Sequence, residues 1–301
     1  MDPYVPEIWT AERVRAVLPP RRADSHKGTY GSVLVAAGSP GMMGAAVFAC
    51  RGAYASGAGL VRAVIPREGS TALTVCMPEA VQLPYADSAE LEAMELPVST
   101  AALVGPGIGR NRALFRKILG SLKENVPLVI DADGLNLLAE EGKLDRPCTV
   151  LTPHVGEAAR LAGRTTAEIM EDIPGAARAL AQKYRAVVAL KCWRTVIASP
   201  SGKLAENLTG NPGMSTGGSG DVLAGLIAGL AGGYPPLKPE DGEDTLYAVT
   251  AAGVWLHGAA GDAAAAKKGI YALLASDIAD ALRPDLLTEP QTPGRAAARF
   301  L

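Results

Sequence analysis

Short apolar runs rich in β-branched residues alternate with alanine-rich stretches of helical spacing from about residue 32 to residue 230. Repeated strand–helix–strand units predict a largely parallel, buried sheet with helices on both faces, which is a three-layer α/β/α fold. The apolar runs predicted as strands are SVLVAAG (32–38), LVRAVIP (60–66), TAALVG (100–105) and PLVIDA (127–132), and the first predicted helices cover 44–56 and 111–122.

The pattern changes after residue 148. CTVLTPHVGE (148–157) is typical of a strand that runs into a loop, and residues 187–206 indicate a strand followed by a hairpin with its turn at Ser199 to Gly202. The last third is mainly helical in its spacing. Since no linker or repeat divides the chain, we expect one domain over residues 1–301, with an N-terminal extension at 1–26 and a loose Pro- and Arg-rich tail at 288–301.

Composition narrows the functional classes. The formal charge of -2, with mixed signs, gives no electrostatic basis for binding nucleic acid or an anionic membrane. No run approaches the roughly 18 apolar residues that span a bilayer. The cysteines are far apart and include no C-x-x-C pair, so neither a zinc site nor a disulfide framework is predicted, and a cytosolic location is expected.

The segment NPGMSTGGSGD (211–221) precedes the apolar helical run VLAGLIAGLAGG. A glycine-rich loop at a helix N-terminus is an anion site, because backbone N–H groups and the helix dipole both attract negative charge. A phosphate group is therefore the expected ligand. The Asp221 carboxylate would repel a phosphate, so its presence indicates either a metal ion that offsets the charge or a role in proton transfer. The alternative is that Asp221 only caps the helix.

Other loops follow strand ends, where ligands of parallel sheets bind. They are GSPGMMGAA (38–46), GPGIG (105–109), DADG (131–134) and TPHVGE (152–157). GPGIG, with an acid about two dozen positions later, is close to a dinucleotide-binding fingerprint, but its spacing is G-x-G-x-G and it lies outside the first strand–helix unit. No G-K-[ST] follows a glycine-rich turn, which excludes a Walker loop.

Together, GPGIG, VIDADGLNLL, LTPHVGEAARL, the strand ending in Lys191 and NPGMSTGGSGD resemble the NAD(P)H-hydrate dehydratase family, a branch of the ribokinase-like fold. The resemblance extends from roughly Lys27 to Asp280 and includes HGAAGD (257–262). It implies an enzyme that uses ADP or ATP to return the S form of hydrated NADH or NADPH to the active cofactor. It also implies a homo-oligomer, such as a tetramer. Since 26 residues precede Lys27, the epimerase domain that many members carry is expected to be missing.

The resemblance further implies a kinase-like first step. Asp221 would take the proton from the C6 hydroxyl of the hydrated ring, and the backbone of Thr216, Gly217, Gly218, Ser219 and Gly220 would hold the transferring phosphoryl group. Mg²⁺ would offset the phosphate charge. Candidate carboxylates for the metal are Asp131 and Glu157, with Asp133 either assisting through water or forming a turn; Glu157 is equally consistent with a helix-capping role.

Further site residues carry over from the family motifs. Ala45, Gly107 and His154 match positions on the substrate side, together with Asp221, and Asn136 matches a polar supporting position. The segment that binds AMP corresponds to Lys191, Cys192, Trp193, Arg194 and Thr195, together with Gly220. The usual K-G pattern is replaced here by Lys-Cys-Trp, which makes Trp193 an alternative packing partner for the adenine.

Two other functions fit parts of this pattern. A ribokinase-like kinase of a vitamin alcohol, such as a hydroxymethylpyrimidine or hydroxyethylthiazole, would share Asp221 and the anion loop without the second pocket. A nucleotide-binding regulator without catalysis would gain nothing from a negative charge beside phosphate, so the retained Asp221 argues against it.

Overall fold

The computed structural model describes residues 6–18, 21, 23–144, 146–233 and 242–283. Within these ranges the strands form one ten-stranded sheet in the order β1-β10-β9-β8-β7-β6-β5-β2-β3-β4. In chain order the strands are β1 (Glu7–Ile8), β2 (Ser32–Ala36), β3 (Leu60–Pro66), β4 (Val81–Tyr85), β5 (Ala101–Val104), β6 (Leu128–Ile130), β7 (Thr149–Leu151), β8 (Val187–Leu190), β9 (Val196–Ala198) and β10 (Leu204–Glu206).

The helices connect these strands and cover both faces of the sheet. They are α1 (Ala11–Val17), α2 (Met43–Ala55), α3 (Ser70–Cys76), α4 (Ser88–Ala93), α5 (Arg112–Ser121), α6 (Asp133–Glu141), α7 (Val155–Ala162), α8 (Thr166–Glu171), α9 (Ile173–Tyr184), α10 (Ser219–Gly232), α11 (Gly242–Lys268) and α12 (Ala275–Asp280). In the described ranges no helix combines the length and hydropathy needed to cross a bilayer.

The parallel sheet expected from the sequence is confirmed. β2 to β8 pair in parallel, β9 is antiparallel to both of its neighbours, and the hairpin between β9 and β10 turns where the sequence predicts it. Part of the predicted N-terminal extension belongs to the sheet, because β1 pairs in parallel with β10 at the sheet edge. The predicted tail at 288–301 lies outside the described residues.

Alternate residues of the central strands enter two separate cores, as the period-2 geometry of a buried strand requires. Val33 and Val35 of β2 contact the core formed with α2, α10 and α11, whereas Leu34 and Ala36 contact the core on the other face, with α5, α6, α7 and α9. Because both faces are covered, functional groups concentrate at the ends of the strands.

Glycines bring α2 and α10 into backbone contact. A Cβ placed on Gly225 would lie 2.0 Å from Ala49 O, and one on Gly52 would lie 2.1 Å from Val222 O. No larger residue fits at these two positions without separating the helices. The close packing fixes the N-terminus of α10 against α2, and the glycine-rich loop lies immediately before that N-terminus.

Candidate active site

Three strand ends meet at one buried carboxylate. Asp131, which follows β6, accepts hydrogen bonds at Oδ1 from Thr152 Oγ1 (2.8 Å) after β7 and from Lys191 Nζ (2.7 Å) after β8. Burial opposes a charged Lys191, but the carboxylates of Asp131 and Glu157 hold the pKa of its ammonium above the usual value. The Lys191 side chain is therefore charged at neutral pH.

The N-terminus of α10 lies against this pair. A Cβ placed on Gly220 would lie 3.3 Å from Lys191 Nζ and 3.9 Å from Asp131 Oδ2. The structure thus brings Lys191 and Asp131 together with the glycine-rich loop 211–221, which the sequence predicts to bind an anion and which is called the anion loop below. The three are far apart in the chain. A cation beside a helix N-terminus strengthens its attraction for phosphate.

Asp221 lies in the first turn of α10 and does not cap it. The N-cap residue is Gly218, which has a φ of 89° and provides no side-chain cap, so the capping interpretation of Asp221 is wrong. Burial and the neighbouring Asp131 raise the pKa of Asp221 to about 7, against the opposing effect of Lys191. A carboxylate with a pKa near neutrality is well matched to accept a proton from a hydroxyl.

The loop itself adopts a conformation that requires glycine. At Gly218 a Cβ would lie 2.5 Å from the ring of Phe48 on α2, and the positive φ disfavours any side chain. The Ser219 amide donates to Thr216 O at 3.3 Å, so it is only partly available to an anion. Within α10 the first-turn amides of Gly220 and Asp221 have no carbonyl acceptor, as at any helix N-terminus.

The loops after β5 and β6 are joined by an acid whose role the sequence left undecided. Asp133 Oδ2 accepts the Gly109 N–H at 2.8 Å, which ties the DADG segment to GPGIG. Between the two acids, Ala132 has a φ of 49° and a ψ of -120°, a strained conformation for alanine. Asp133 is therefore the first residue of α6 and positions the GPGIG loop. It lies about two dozen positions after that loop in the chain and binds the amide of the last glycine of the loop, Gly109.

Two of the predicted substrate positions are neighbours. A Cβ placed on Gly107 would lie 2.9 Å from Ala45 Cβ and 3.1 Å from Met42 O. The Gly38 amide donates to Pro106 O at 2.8 Å, which joins the loop before α2 to GPGIG. These contacts place Ala45 and Gly107 side by side at the carboxyl edge of the sheet; their binding role stays a prediction.

His154 and Glu157 form a reciprocal cap at the start of α7. His154 Nδ1 accepts the Gly156 amide at 2.9 Å, and Glu157 Oε2 accepts the His154 amide at 2.9 Å. Partial burial and the nearby Lys191 lower the pKa of His154, and burial raises that of Glu157. The capping role considered for Glu157 is confirmed, while the His154 ring is neutral at pH 7 and still exposed at the site.

Asn136, on α6, accepts a hydrogen bond from Arg160.

The segment after β8 contains partly buried residues on either side of two exposed ones, Trp193 and Arg194. The Lys191 amide donates to Pro153 O at 2.7 Å, which holds the segment against the His154 loop. Cys192 Sγ lies 2.8 Å from Arg194 O, and the Arg194 guanidinium stacks 4.6 Å from the Trp193 ring centre. Trp193 is 78% exposed, so its ring is available to a ligand. Thr195 accepts the Asn207 amide through its carbonyl.

The HGAAGD segment, whose role the sequence did not predict, lies on α11 against the glycine-rich loop. Asp262 accepts the Gly210 amide at 2.9 Å, and His257 Nε2 lies 3.4 Å from Ser219 Oγ. Within the described ranges, no three His, Cys, Asp or Glu side chains are grouped as the ligands of a metal ion.

Comparisons with known proteins agree with this geometry. The sequence profile of the NAD(P)H-hydrate dehydratase family matches residues 33–284. The chain is 43% identical over 290 residues to a bifunctional NAD(P)H-hydrate repair enzyme of Moorella thermoacetica, covering 91% of this chain and 53% of that one, about half its length. It is 40% identical over 285 residues to the ADP-dependent (S)-NAD(P)H-hydrate dehydratase of Neisseria meningitidis, covering 92% of each. The crystal structure of the ADP/ATP-dependent NAD(P)H-hydrate dehydratase of Bacillus subtilis, co-crystallised with ATP and Mg²⁺, superimposes with a TM-score of 0.81 at 32% identity, covering 94% of this chain and 98% of that one.

Proposed function

The chain belongs to the NAD(P)H-hydrate dehydratase family, and from that premise we propose that it dehydrates the S form of hydrated NADH or NADPH with ADP as the phosphoryl donor. The observation that carries the proposal is the position of Asp221, a carboxyl with a pKa of about 7 in the first turn of the helix behind the anion loop. A binding module has no use for a titrating acid beside a phosphate site, whereas a phosphoryl-transfer enzyme needs a base there.

The first half-reaction is a phosphoryl transfer. Asp221 accepts the proton of the C6 hydroxyl as that oxygen attacks the β-phosphorus of ADP, and the bond from that phosphorus to the AMP oxygen breaks. The anion loop and the Lys191 ammonium stabilise the charge on the transferring group. In the second half-reaction the bond from C6 to the phosphate oxygen breaks, C5 loses a proton to solvent or phosphate, and the C5–C6 double bond forms again. The products are the reduced cofactor, AMP and phosphate.

Lys191 has two functions in this scheme. Its ammonium lies beside Gly220 at the helix N-terminus, where it would contact the phosphate chain. Its charge also lowers the pKa of Asp221, which keeps a useful fraction of the base ionised near pH 7. Asp131 and Thr152 fix the ammonium in this position.

The acidic residues at this site fit a magnesium ion that arrives with the nucleotide. Mg²⁺ is typically bound by one or two carboxylates together with substrate phosphates and water, and a complete protein cage is not needed. Asp131 Oδ1 is occupied by Lys191 and Thr152, which leaves Oδ2 as the oxygen toward Gly220. Asp131 and Glu157 are the residues that would hold the ion, through water, and the ion would supply charge neutralisation of the phosphates.

The same arrangement supports the proposed binding positions. Ala45, Gly107 and His154 line the edge where the hydrated ring and its dinucleotide would lie, and Lys191 to Thr195 with the loop 216–220 would hold the nucleotide. The exposed Trp193 ring is proposed to stack on the adenine, in place of the close backbone approach that a glycine after the lysine would allow. His154 is neutral, so it would act as a hydrogen-bonding group toward the substrate.

We further propose a single dehydratase domain over residues 1–301 that works as a homo-oligomer, such as a tetramer, in the cytosol, where reduced nicotinamide cofactors are used. Light scattering at micromolar concentration tests the assembly, since a strictly monomeric mass contradicts it.

The function is tested by mixing purified protein with S-hydrated NADH or NADPH, Mg²⁺ and either ADP or ATP. Absorbance at the reduced-nicotinamide band is expected to return only when nucleotide is present, with one phosphate released per cofactor recovered. A protein that leaves the hydrate untouched but phosphorylates a vitamin alcohol would be a kinase of the same fold, and the proposal would be wrong. Comparison of the two nucleotides at equal concentration identifies the donor.

A further inference from the structure

We propose that Asp262 on α11 is a positioning residue that holds the first part of the glycine-rich loop in the conformation that binds the nucleotide phosphates. The inference rests on the function proposed above, because it concerns the loop that would receive those phosphates. Asp262 itself does not contact the reacting groups in this scheme.

Asp262 fixes the start of the loop through two hydrogen bonds. Its Oδ2 accepts the Gly210 amide at 2.9 Å, and its Oδ1 accepts Asn211 Nδ2 at 2.9 Å. Asn211 Oδ1 in turn accepts the Gly213 amide at 3.0 Å and caps the single 3₁₀ turn Pro212–Met214. A series of polar contacts therefore extends from α11 into the loop, and the Asp262 carboxylate makes the first two of them.

The same helix reaches two more points of the segment. Thr209 Oγ1 donates to Trp255 O at 2.9 Å, just before the loop, and His257 Nε2 lies 3.4 Å from Ser219 Oγ, at its end. Burial lowers the pKa of His257 to about 4, so this ring is neutral at pH 7 and its contact with Ser219 Oγ joins two uncharged groups. The loop is thus attached to α11 at both ends.

Glycines on α11 allow this close attachment. A Cβ placed on Gly258 would lie 2.2 Å from Thr209 Oγ1, and one on Gly261 would lie 2.3 Å from Met214 Sδ. The loop backbone therefore lies directly against α11. The small residues between His257 and Asp262 in HGAAGD allow this close contact. Without Asp262, the amides that face the anion would have to be ordered when the nucleotide binds, at a cost in affinity.

The test is a pair of substitutions that exchange the two side chains. In Asp262→Asn the carboxylate is lost and the new amide group faces Asn211 Nδ2, so two donors oppose each other. In the double variant Asp262→Asn with Asn211→Asp, the hydrogen bond between the two side chains runs in the opposite direction, from the amide group of residue 262 to the carboxylate of residue 211. The side-chain acceptors of the Gly210 and Gly213 amides are kept. Asp172→Asn is the matched control, because Asp172 also accepts a glycine amide, from Gly175 at 2.8 Å, but at the start of α9.

Binding of ADP with Mg²⁺ is measured by calorimetry at a temperature where circular dichroism shows every variant to be folded. Asp262→Asn is expected to weaken ADP binding about tenfold or more, since a charge-assisted hydrogen bond is lost. The exchanged double variant is expected to return to within about threefold of the parent protein, and Asp172→Asn to bind as the parent does. A lower melting temperature with unchanged ADP affinity in Asp262→Asn overturns the inference, because a residue that only stabilises the fold would give that result.

Amide hydrogen exchange without nucleotide separates this inference from the proposed function. Faster exchange confined to the segment 210–221 in Asp262→Asn supports the positioning role, and unchanged exchange there refutes it. If the parent protein binds neither ADP nor ATP, the proposed function fails, while the exchange result still decides whether Asp262 orders the loop.

Discussion

The Lys191 ammonium donates to Asp131 Oδ1 at 2.7 Å across the end of β7, which lies between the strands that carry the two residues. Asp131 is 1% exposed and the Lys191 side chain is 20% exposed, so this ion pair is largely shielded from water. Its two charges are needed together, because either one alone would be buried without its counter-ion.

Removal of either partner from this pair is expected to lower the free energy of unfolding strongly, because the other charge then stays buried without its counter-ion. Lys191→Met and Asp131→Asn should each lower the free energy of unfolding by about 3 kcal/mol, and the double variant should cost less than the sum by at least about 1 kcal/mol. Urea unfolding of the three variants measures this coupling. The exposed pair Arg116–Glu141, at 2.9 Å, is the control and should couple by less than about 1 kcal/mol. Strict additivity at the buried pair contradicts the prediction.

Two adjacent glycines of the anion loop are expected to differ in their tolerance of alanine. At Gly218 the positive φ and the Phe48 ring both oppose a Cβ, whereas a Cβ on Gly217 meets nothing within 4 Å. Gly218→Ala should therefore lower the free energy of unfolding by about 1–3 kcal/mol, and Gly217→Ala should change it by no more than about 0.5 kcal/mol. Thermal melts of both variants provide the comparison, and equal stability of the two would contradict this loop conformation.

The parts of the molecule that the sequence predicted are those fixed by neighbouring residues. β3 begins and ends where the run LVRAVIP does, and α2 differs from its predicted bounds by one residue at each end, because alternation and helical spacing are local patterns. The anion loop was also recognisable, since GGSG followed by an apolar helix specifies its own turn.

Contacts between distant segments were not predictable in the same way. Asp133 contacts Gly109 across 24 positions, and Lys191 contacts Asp131 across 60. Nothing in either local pattern specifies the partner, because the strand order of the sheet decides which loops meet. β1 was missed for a related reason: with two residues it has no periodicity, and its position depends on β10 being available at the sheet edge.

The exposed ring of Trp193 offers a test of nucleotide contact that leaves the fold unchanged. Because the side chain is 78% exposed, Trp193→Ala should alter the free energy of unfolding by less than about 0.5 kcal/mol. If the ring stacks on adenine, the dissociation constant for ADP should rise about threefold to tenfold, in line with the usual strength of aromatic stacking. Trp193→Phe, which keeps a flat ring, is the control and should retain most of the affinity. Equal binding by Trp193→Ala and the parent protein rules out the stacking contact.

The raised pKa of Asp221 predicts a specific effect of pH on stability. The folded protein holds a proton on this carboxyl up to a pKa of about 7, whereas the unfolded chain releases it near the ordinary aspartate pKa of 3.8. Folding therefore takes up a proton between these values, and the free energy of unfolding should fall as the pH rises through that window. Asp221→Asn has no ionisation at this position, so it should melt several degrees above the parent protein at pH 8 and close to it at pH 4. A lower melting temperature for the variant at pH 8 would contradict the assigned burial of this charge.

The same substitution decides the catalytic role. Asp221→Asn keeps the size of the side chain, and because Gly218 is the N-cap, the start of α10 should not depend on the carboxylate. Loss of the base should slow the chemical step by about 10² to 10⁴, while ADP binding survives or tightens, since a negative charge that faces phosphate has been removed. In the parent protein the rate at limiting substrate should fall as the pH drops below about 7, as Asp221 becomes protonated. Asp133→Asn is the matched control: it removes a carboxylate that raises the pKa of Asp221 but keeps an acceptor for Gly109, so it should move the pH profile to lower pH and slow the reaction far less. If Asp221→Asn turns over at the parent rate, the proton acceptor lies elsewhere.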